Sequence, residues 1–282
     1  MRFRALFAFL LCALAMKGAD TDKPLRPVMA AYTLDVGSSS LYDTYLTPLN
    51  YRGQSYALAY ERMQAMRFSP EKWVMRLTGR LALNRALNPA RNATMWDLDF
   101  ELSWGMMHRW SIPAVSGLQL YGGGSTMADI GALYLARNGN NPVSAKAAWT
   151  VAFTGAAVYN FKIARLPVCL RYQPTLPVTG IFFSPDYGEL YYEIYLGNHS
   201  GLVHGAWWGN YFRLYNLLTA DLRFGSTNLR IGYSGDILST KVNNIVTRRI
   251  THALTIGVSG EWLSLNRSGK LSSKAKIISA LY

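Results

Sequence analysis

Residues Met95–Met106 read MWDLDFELSWGM and have the clearest strand pattern in the chain. Every second residue in this stretch is apolar, from Trp96 to Trp104, and the residues between them include Asp97 and Asp99. Alternation with a period of two places the two sets on opposite faces of a β-strand. The run is about twice as long as a typical strand of a soluble protein. It therefore predicts a long strand that separates an apolar environment from a charged one.

A neighbouring stretch shows which face meets the apolar environment. Trp149 and Tyr159 lie on the apolar face of a second alternating run, ten positions apart. That spacing is about 33 Å along a strand. With the usual tilt it becomes roughly 25 Å of height, the separation of the two aromatic girdles of a membrane barrel. The spacing predicts that the apolar faces meet lipid and the charged faces line a lumen.

The whole composition is consistent with this interpretation. Hydrophobic residues make up 50% of the chain, yet beyond the first twenty residues no apolar run is long enough for a transmembrane helix. A closed β-barrel hides such hydrophobicity in alternating positions. We therefore predict an all-β fold, a transmembrane antiparallel up-and-down β-barrel of about twelve strands with long external loops. The predicted strands are 28–37, 54–68, 72–85, 94–106, 115–123, 147–160, 162–172, 189–197, 211–224, 228–238, 248–262 and 274–282, with long loops at 38–53, 124–146 and 173–188.

The first residues predict export. Residues 1–19 combine Arg2 and Arg4 with the apolar run Ala5–Met16 and small residues for cleavage, as a signal peptide does. Residues 20–282 then form one barrel domain in the bacterial outer membrane, with Cys169 as its sole cysteine and no internal disulfide. The net charge of +13 does not indicate nucleic acid in an exported protein. The expected partners are outer-membrane lipids, lipopolysaccharide included, and a small solute.

Two groups of charged residues are predicted to face the lumen. Two interpretations stay open for them: a salt-bridge network that fills a narrow barrel, or a charged constriction that selects solutes. Pairing between adjacent strands is expected to bring opposite charges together. The lumen charge cluster is Glu61, Arg76, Arg80, Asp97, Asp99 and Glu101, and the second lumen polar face is Arg213, Asp221, Arg223 and Arg230.

Three stretches rich in turn-forming and aromatic residues carry a resemblance. They are Asp43–Gly53, Asn138–Pro142 and Leu176–Glu193. Together they resemble the uncharacterised Bacteroidetes family known as domain of unknown function 3316. The resemblance implies an outer-membrane barrel of unassigned activity and brings no catalytic residues with it. The loop residues singled out are Asp43, Tyr45, Pro48, Tyr51, Gly53, Asn138, Asn140, Asn141, Pro142, Gly180, Pro185, Tyr187, Gly188, Tyr192 and Glu193.

Catalysis finds little support in the sequence. A lipid hydrolase would need a serine and a histidine within hydrogen-bonding reach, and His108, His199, His204 and His252 form no recognisable nucleophile motif. No cofactor or metal site is expected. The favoured function is a binding or narrow conduction barrel for small, acidic solutes. The alternatives are a structural or assembly partner that acts through ordered loops and, least favoured, a lipid hydrolase.

Overall fold

The computed structural model describes residues 24–139, 141–225, 227–263 and 276–281. Ten strands of this part form a closed antiparallel barrel. Each strand pairs with the next along the chain, and β1 pairs with β11 to close the ring. The short strand β8 lies outside the ring, because β7 pairs with β9 beyond it. The elements are β1 Val28–Asp43, β2 Thr47–Ala65, β3 Trp73–Leu87, β4 Thr94–Ser111, β5 Leu118–Leu135, β6 Val143–Ile163, β7 Leu166–Phe183, α1 Tyr191–Tyr195, β8 Val203–Ala206, β9 Tyr211–Phe224, β10 Thr227–Val242 and β11 Ile245–Trp262.

The faces of the barrel are those that the alternation predicts. In β4 the apolar side chains Trp96, Phe100 and Trp104 are 39–49% exposed, whereas Asp97 and Asp99 are buried. The charges therefore point into the lumen and the apolar side chains point outward. An apolar exterior with a polar interior is the arrangement of a transmembrane barrel.

The number of strands is close to the prediction, and the two surplus segments explain the difference. Residues 189–197 contain the helix α1, whose start is stabilised by the Glu193 carboxylate accepting a hydrogen bond from the Leu190 N–H (2.9 Å). Residues 276–281 form no barrel strand and make one isolated bridge, between Leu25 and Ile277. A helix cap replaces strand pairing in residues 189–197, and tertiary packing replaces it in residues 276–281.

The predicted long loops 38–53, 124–146 and 173–188 are largely strand. Glycines account for part of this difference, because the predicted strand 115–123 ends within Gly122–Gly124, whereas β5 continues to Leu135. A Cβ on Gly123 would lie 2.0 Å from the Met106 carbonyl oxygen. Glycine there permits close approach of β4 and β5 and does not end the strand. Residues 184–210 form the one long connection between described barrel strands.

Asn216 is a polar residue on the otherwise apolar outer face of β9. The register between β9 and β10 runs through it without a shift. Asn216 stays on the outer face, where its Oδ1 accepts a hydrogen bond from the Tyr172 hydroxyl (2.8 Å). A partner on the neighbouring strand therefore accommodates this polar side chain.

The two ends of the barrel differ. At the plug end, where β1 begins, residues 278–281 are buried, and Ala280 and Leu281 lie fully buried in an apolar cluster that closes the lumen there. The Ala280 carbonyl accepts a hydrogen bond from the Tyr121 hydroxyl and the Leu281 carbonyl accepts one from Asn160 Nδ2, both at 2.9 Å. At the opposite loop end, residues 184–210 lie beside the tight turns between the other strands.

Candidate functional site

The half of the lumen next to the plug end is organised around one carboxylate. Glu61 accepts hydrogen bonds from Arg76 Nε (2.7 Å), Arg171 Nη2 (2.6 Å) and Arg230 Nη1 (2.8 Å). Arg230 also makes a bidentate pair with Asp221, at 2.6 and 2.7 Å. These five residues, from five different strands, form the plug-side cluster, in which two carboxylates face three guanidinium groups.

The half of the lumen next to the loop end is organised around two arginines. Arg213 makes a bidentate pair with Asp236 (both contacts 2.9 Å), donates to Glu101 (2.6 Å) and contacts Asp129. Arg213 itself is fully buried. Its guanidinium group thus holds together carboxylates from three strands, β4, β5 and β10.

Arg249 completes this arrangement from β11. It lies 3.0 Å from Asp99, 3.3 Å from Asp236 and 3.5 Å from Asp97. In this group five carboxylates face two guanidinium groups, the reverse of the balance in the plug-side cluster. The loop-side cluster consists of Asp97, Asp99, Glu101, Asp129, Arg213, Asp236 and Arg249.

Side chains fill most of the lumen around the two clusters. A cavity of about 40 Å³ lies between the clusters and is lined in part by Arg80, Tyr215 and Thr255. Arg80 is 3.6 Å from Asp35, which also accepts hydrogen bonds from Ser234 (3.0 Å) and Thr255 (2.7 Å). A volume of this size holds only a few water-sized groups.

A second cavity of about 40 Å³ lies above the loop-side cluster, and we call it the loop-end chamber. Asp97, Asp99, Asp129 and Arg249 form its charged floor. Lys146 lines it too and pairs with Asp43 at 2.7 Å. The remaining wall is largely apolar or aromatic and includes Ala148, Phe182, Tyr211 and Leu238.

The loop motifs meet around Asp43 at the rim of this chamber. Asp43 is fully buried and accepts hydrogen bonds from the hydroxyls of Ser144 (3.2 Å) and Thr247 (2.9 Å). The motif Asn138–Pro142 contacts the motif Asp43–Gly53, because Asn138 donates a hydrogen bond to the Leu46 carbonyl at 3.2 Å. Asn140 lies outside the described residues.

The motif Leu176–Glu193 contacts the motif Asp43–Gly53 through Tyr45. Its hydroxyl donates to the Glu189 carbonyl (2.6 Å), and its ring packs edge-on against Tyr191. Burial raises the pKa of Tyr45 to about 12, and the charges of Glu189 and Asp43 add to the shift. The phenol therefore remains a neutral hydrogen-bond donor. The segment 184–193 is held over the rim by this contact.

The remaining motif residues have packing or backbone roles at the loop end. Tyr51 is buried in an apolar cluster, and a Cβ on Gly53 would lie 2.0 Å from the Arg85 carbonyl oxygen. The Pro142 carbonyl accepts from the Leu135 N–H (2.7 Å), and Gly188 has a φ of +87°. Pro48, Asn141, Gly180, Pro185, Tyr187, Tyr192 and Glu193 also lie at the loop end.

The structure places the predicted lumen residues on the inner face. Two ion pairs join neighbouring strands as expected, Glu61 with Arg76 and Asp221 with Arg230, but other pairs cross the lumen. Glu101 lies beside Arg80 in the strand register, yet its ion pair is with Arg213 on β9. Contacts across the lumen thus join the two predicted groups. Arg223 lies on the same face of β9, next to the plug end. The functional residues that sequence reasoning missed are Asp35, Asp129, Lys146 and Arg249.

The four histidines are separate from one another. His108 packs between Trp73 and Trp110, and His252 Nδ1 lies 2.5 Å from the Tyr233 hydroxyl on the outer face. His204 contacts the Ser184 carbonyl. His199 is exposed near the loop end. His108 contacts two tryptophan rings, His252 a tyrosine hydroxyl and His204 a backbone carbonyl, so none of these contacts brings a histidine to a serine hydroxyl.

Closed pairing, an apolar exterior and a charged interior together define a transmembrane β-barrel. The chain belongs to the family described as Protein of unknown function (DUF3316), whose family model matches residues 4–268. No curated protein matches it.

Several solved outer-membrane barrels are similar to the chain. The translocator domain of the autotransporter NalP from Neisseria meningitidis is 13% identical, with a TM-score of 0.38, over 92% of this chain and 96% of that one. The outer-membrane protease OmpT from Escherichia coli is 6% identical, with a TM-score of 0.42, over 88% and 99%. The transport unit of the autotransporter AIDA-I from Escherichia coli is 9% identical, with a TM-score of 0.42, over 93% and 97%. Likenesses of this size say nothing about activity.

None of the helices in the described residues has the length and apolar character needed to cross a membrane. Within the same ranges, no group of three or more His, Cys, Asp or Glu residues is arranged to hold a metal ion.

Proposed function

We propose that this protein is a solute-binding barrel of the bacterial outer membrane and that a small organic cation occupies its loop-end chamber. The observation that carries the proposal is the charge of the loop-side cluster, in which five carboxylates face two guanidinium groups. Buried negative charge in excess of its cationic partners is costly. A cation bound above Asp97, Asp99 and Asp129 offsets that cost.

The chamber also indicates the kind of cation. Its volume of about 40 Å³ suits a group of a few heavy atoms. Carboxylates accept hydrogen bonds from N–H groups, and Phe182 and Tyr211 offer apolar or aromatic surface to a short alkyl group. A small primary ammonium ion has both features. The acidic solute expected from the net charge fits this chamber less well, since carboxylates outnumber cations in its lining.

The proposal also covers the orientation of the barrel in the membrane, its export and its origin. The loop end faces the exterior, because outer-membrane barrels carry their longer connections there, and residues 184–210 lie at that end. Residues 1–19 act as a cleaved signal peptide, although they lie outside the described residues. We also propose a Bacteroidetes origin, on the resemblance in the loop motifs.

Calorimetric titration of the purified full chain with methylammonium chloride tests the proposal, with sodium acetate as the anionic probe. We expect saturable binding of methylammonium, no binding of acetate, and binding at least tenfold weaker in Asp99→Asn. Asp35→Asn is the control, because Asp35 lies in the lumen outside the chamber lining. Absence of saturable methylammonium binding, or binding of acetate instead, contradicts the proposal.

Planar-bilayer recording separates binding from conduction. The filled lumen predicts no steady conductance from the wild-type barrel. A stable open pore in every insertion would favour the narrow conduction barrel instead.

A second candidate function rests on the surface of residues 184–210. Tyr187, Tyr192 and Leu196 are each 66% exposed and Tyr195 is 83% exposed. Exposed apolar patches often mark protein interfaces, which favours an assembly partner acting through this loop. A photo-crosslinking amino acid at position 195 tests it in native membranes, with position 67 at the plug end as control. Recovery of the same adducts from both positions, or of none from position 195, contradicts this function.

A further inference from the structure

A groove on the outer wall at the loop end gathers positive charge. It has a volume of about 540 Å³ and is lined by Arg52 on β2, Arg85 on β3 and Arg91 in the turn that follows β3. Asn50 and Asn88 add polar groups to the same lining. The three arginine side chains are exposed and come from elements that are neighbours in the sheet.

These charges have no acidic partner within the described residues. No Asp or Glu lines the groove, and none of the ion pairs of the described chain involves Arg52, Arg85 or Arg91. The nearest carboxylates on β4, Asp97 and Asp99, point into the lumen. The groove therefore presents three unneutralised guanidinium groups on the exterior of the barrel.

The arginines are held in place by the fold. Position 52 pairs with position 87 and position 54 with position 85 in the register of β2 and β3. The Arg85 guanidinium lies 5.8 Å from the centre of the Trp96 ring, a cation–π distance. Arg91 has a φ of +56° in a turn that Asn88 braces, since Asn88 Oδ1 accepts from the Asn92 N–H at 3.0 Å.

Directly below the groove begins the apolar band of the barrel. Tyr56 and Leu83 follow on the outer faces of β2 and β3, and Leu98 follows Trp96 on β4; all four are 39–53% exposed. Positive charge above an apolar surface is complementary to an acidic lipid. The phosphate of such a lipid lies at the membrane interface, and its acyl chains lie in the hydrocarbon.

We propose that this groove binds the phosphate groups of a phosphorylated, acylated glycolipid of the outer leaflet, of the lipid A type. Guanidinium groups bind phosphate oxygens through paired, charge-assisted hydrogen bonds. The acyl chains lie against Tyr56, Leu83 and Leu98. The site is on the exterior wall, so it does not depend on ligand binding in the lumen; it rests on the proposed orientation, in which the loop end faces the exterior.

Native mass spectrometry of the full chain in detergent tests the site with two probes, bisphosphorylated lipid A and the same lipid with both phosphates removed. The test variant carries Arg52→Gln, Arg85→Gln and Arg91→Gln. The matched control carries Arg67→Gln, Lys162→Gln and Arg165→Gln, which removes the same charge from exposed positions at the plug end.

We expect wild type and control to bind bisphosphorylated lipid A at least tenfold more tightly than the dephosphorylated lipid. The test variant loses this preference and binds both lipids equally. Equal binding of both lipids by wild type, or an unchanged preference in the test variant, overturns the proposal. Loss of the preference in the control as well would show an effect of net charge without a site and would also overturn it. Inorganic phosphate competing as well as lipid A would assign the groove to a free anion and contradict the lipid.

Discussion

The two halves of the lumen stabilise buried charge in opposite ways. In the plug-side cluster one carboxylate, Glu61, holds three guanidinium groups, and in the loop-side cluster Arg213 holds three carboxylates. Arginine cannot release its proton in a protein, whereas a carboxylate can take one up. The plug-side cluster therefore has a fixed charge, and the loop-side cluster can adjust its charge to a proton or a bound cation.

The plug-side cluster is suited to a structural role and the loop-side cluster to binding a ligand. In the plug-side cluster, which lies between the buried plug and the middle of the barrel, Glu61 pairs with each of the three guanidinium groups. The loop-side cluster lies under the chamber and has more carboxylates than guanidinium groups. Substitutions in the two clusters test this division.

Replacement of Glu61 by Gln is expected to have the largest effect. It leaves Arg76 and Arg171 without their carboxylate, and neither group can become neutral. Breaking a buried ion pair from one side costs about 3–5 kcal/mol. Urea unfolding in lipid vesicles, followed by tryptophan fluorescence, should show a loss of this size that does not change between pH 5 and pH 8. A loss below about 1 kcal/mol would contradict the fixed-charge description.

Replacement of Arg213 by Met is expected to cost less, and its cost should depend on pH. The buried carboxylates of Glu101, Asp129 and Asp236 lose their shared partner, which costs about 2–3 kcal/mol at neutral pH. They recover part of that by taking up protons. The same unfolding measurement should therefore show the variant approaching wild type as the pH falls. A cost that is independent of pH would remove the distinction between the two clusters.

Replacement of Glu101 by Gln makes the same chemical change as Glu61→Gln in the other cluster. Arg213 keeps Asp129 and Asp236 as partners, and the excess of carboxylates falls by one. The stability should stay within about 1 kcal/mol of wild type. If Glu101→Gln and Glu61→Gln destabilise the barrel equally, the comparison between the two halves fails.

The faces of the strands could be predicted from the sequence, but the partners across the lumen could not. Alternation in Met95–Met106 is a local property, and it correctly placed Asp97 and Asp99 inside. The ion pair of Arg249 with Asp99 joins β11 to β4 across the barrel. That contact depends on the strand number and tilt of the closed ring, which no local pattern contains.

Some of the missed residues did carry a local signal. Asp129 lies in β5, where Ile130 and Tyr134 are exposed and Met127 and Leu133 are buried. This alternation extends the strand past Gly122–Gly124 to Leu135. The plug carried no such signal, because burial of Leu281 depends on tertiary contacts with Tyr121 and Asn160.

The smallest expected effect concerns the closure of the plug end, where charges are exposed. Glu71, in the turn between β2 and β3, pairs with Lys276, and both side chains are more than 60% exposed. The hydrogen bond and charge of Lys276 lower the pKa of Glu71. Because the folded pKa lies below the unfolded one, this contact stabilises docking above the ordinary glutamate pKa, roughly 4.3, and is lost as the pH falls through the folded value.

The Leu25 amide reports on this contact, since it donates to the Lys276 carbonyl at 2.8 Å. In an NMR titration its signal should shift in wild type as the pH falls below about 4.3, and the shift should be absent in Glu71→Gln. Lys276→Met should remove the same shift from the other side of the pair. Solvent and salt screen exposed pairs, so high salt should weaken the wild-type response. A response in Glu71→Gln equal to that of wild type would mean that the Glu71–Lys276 pair does not stabilise docking of the plug. The apolar contacts alone would then close the plug end.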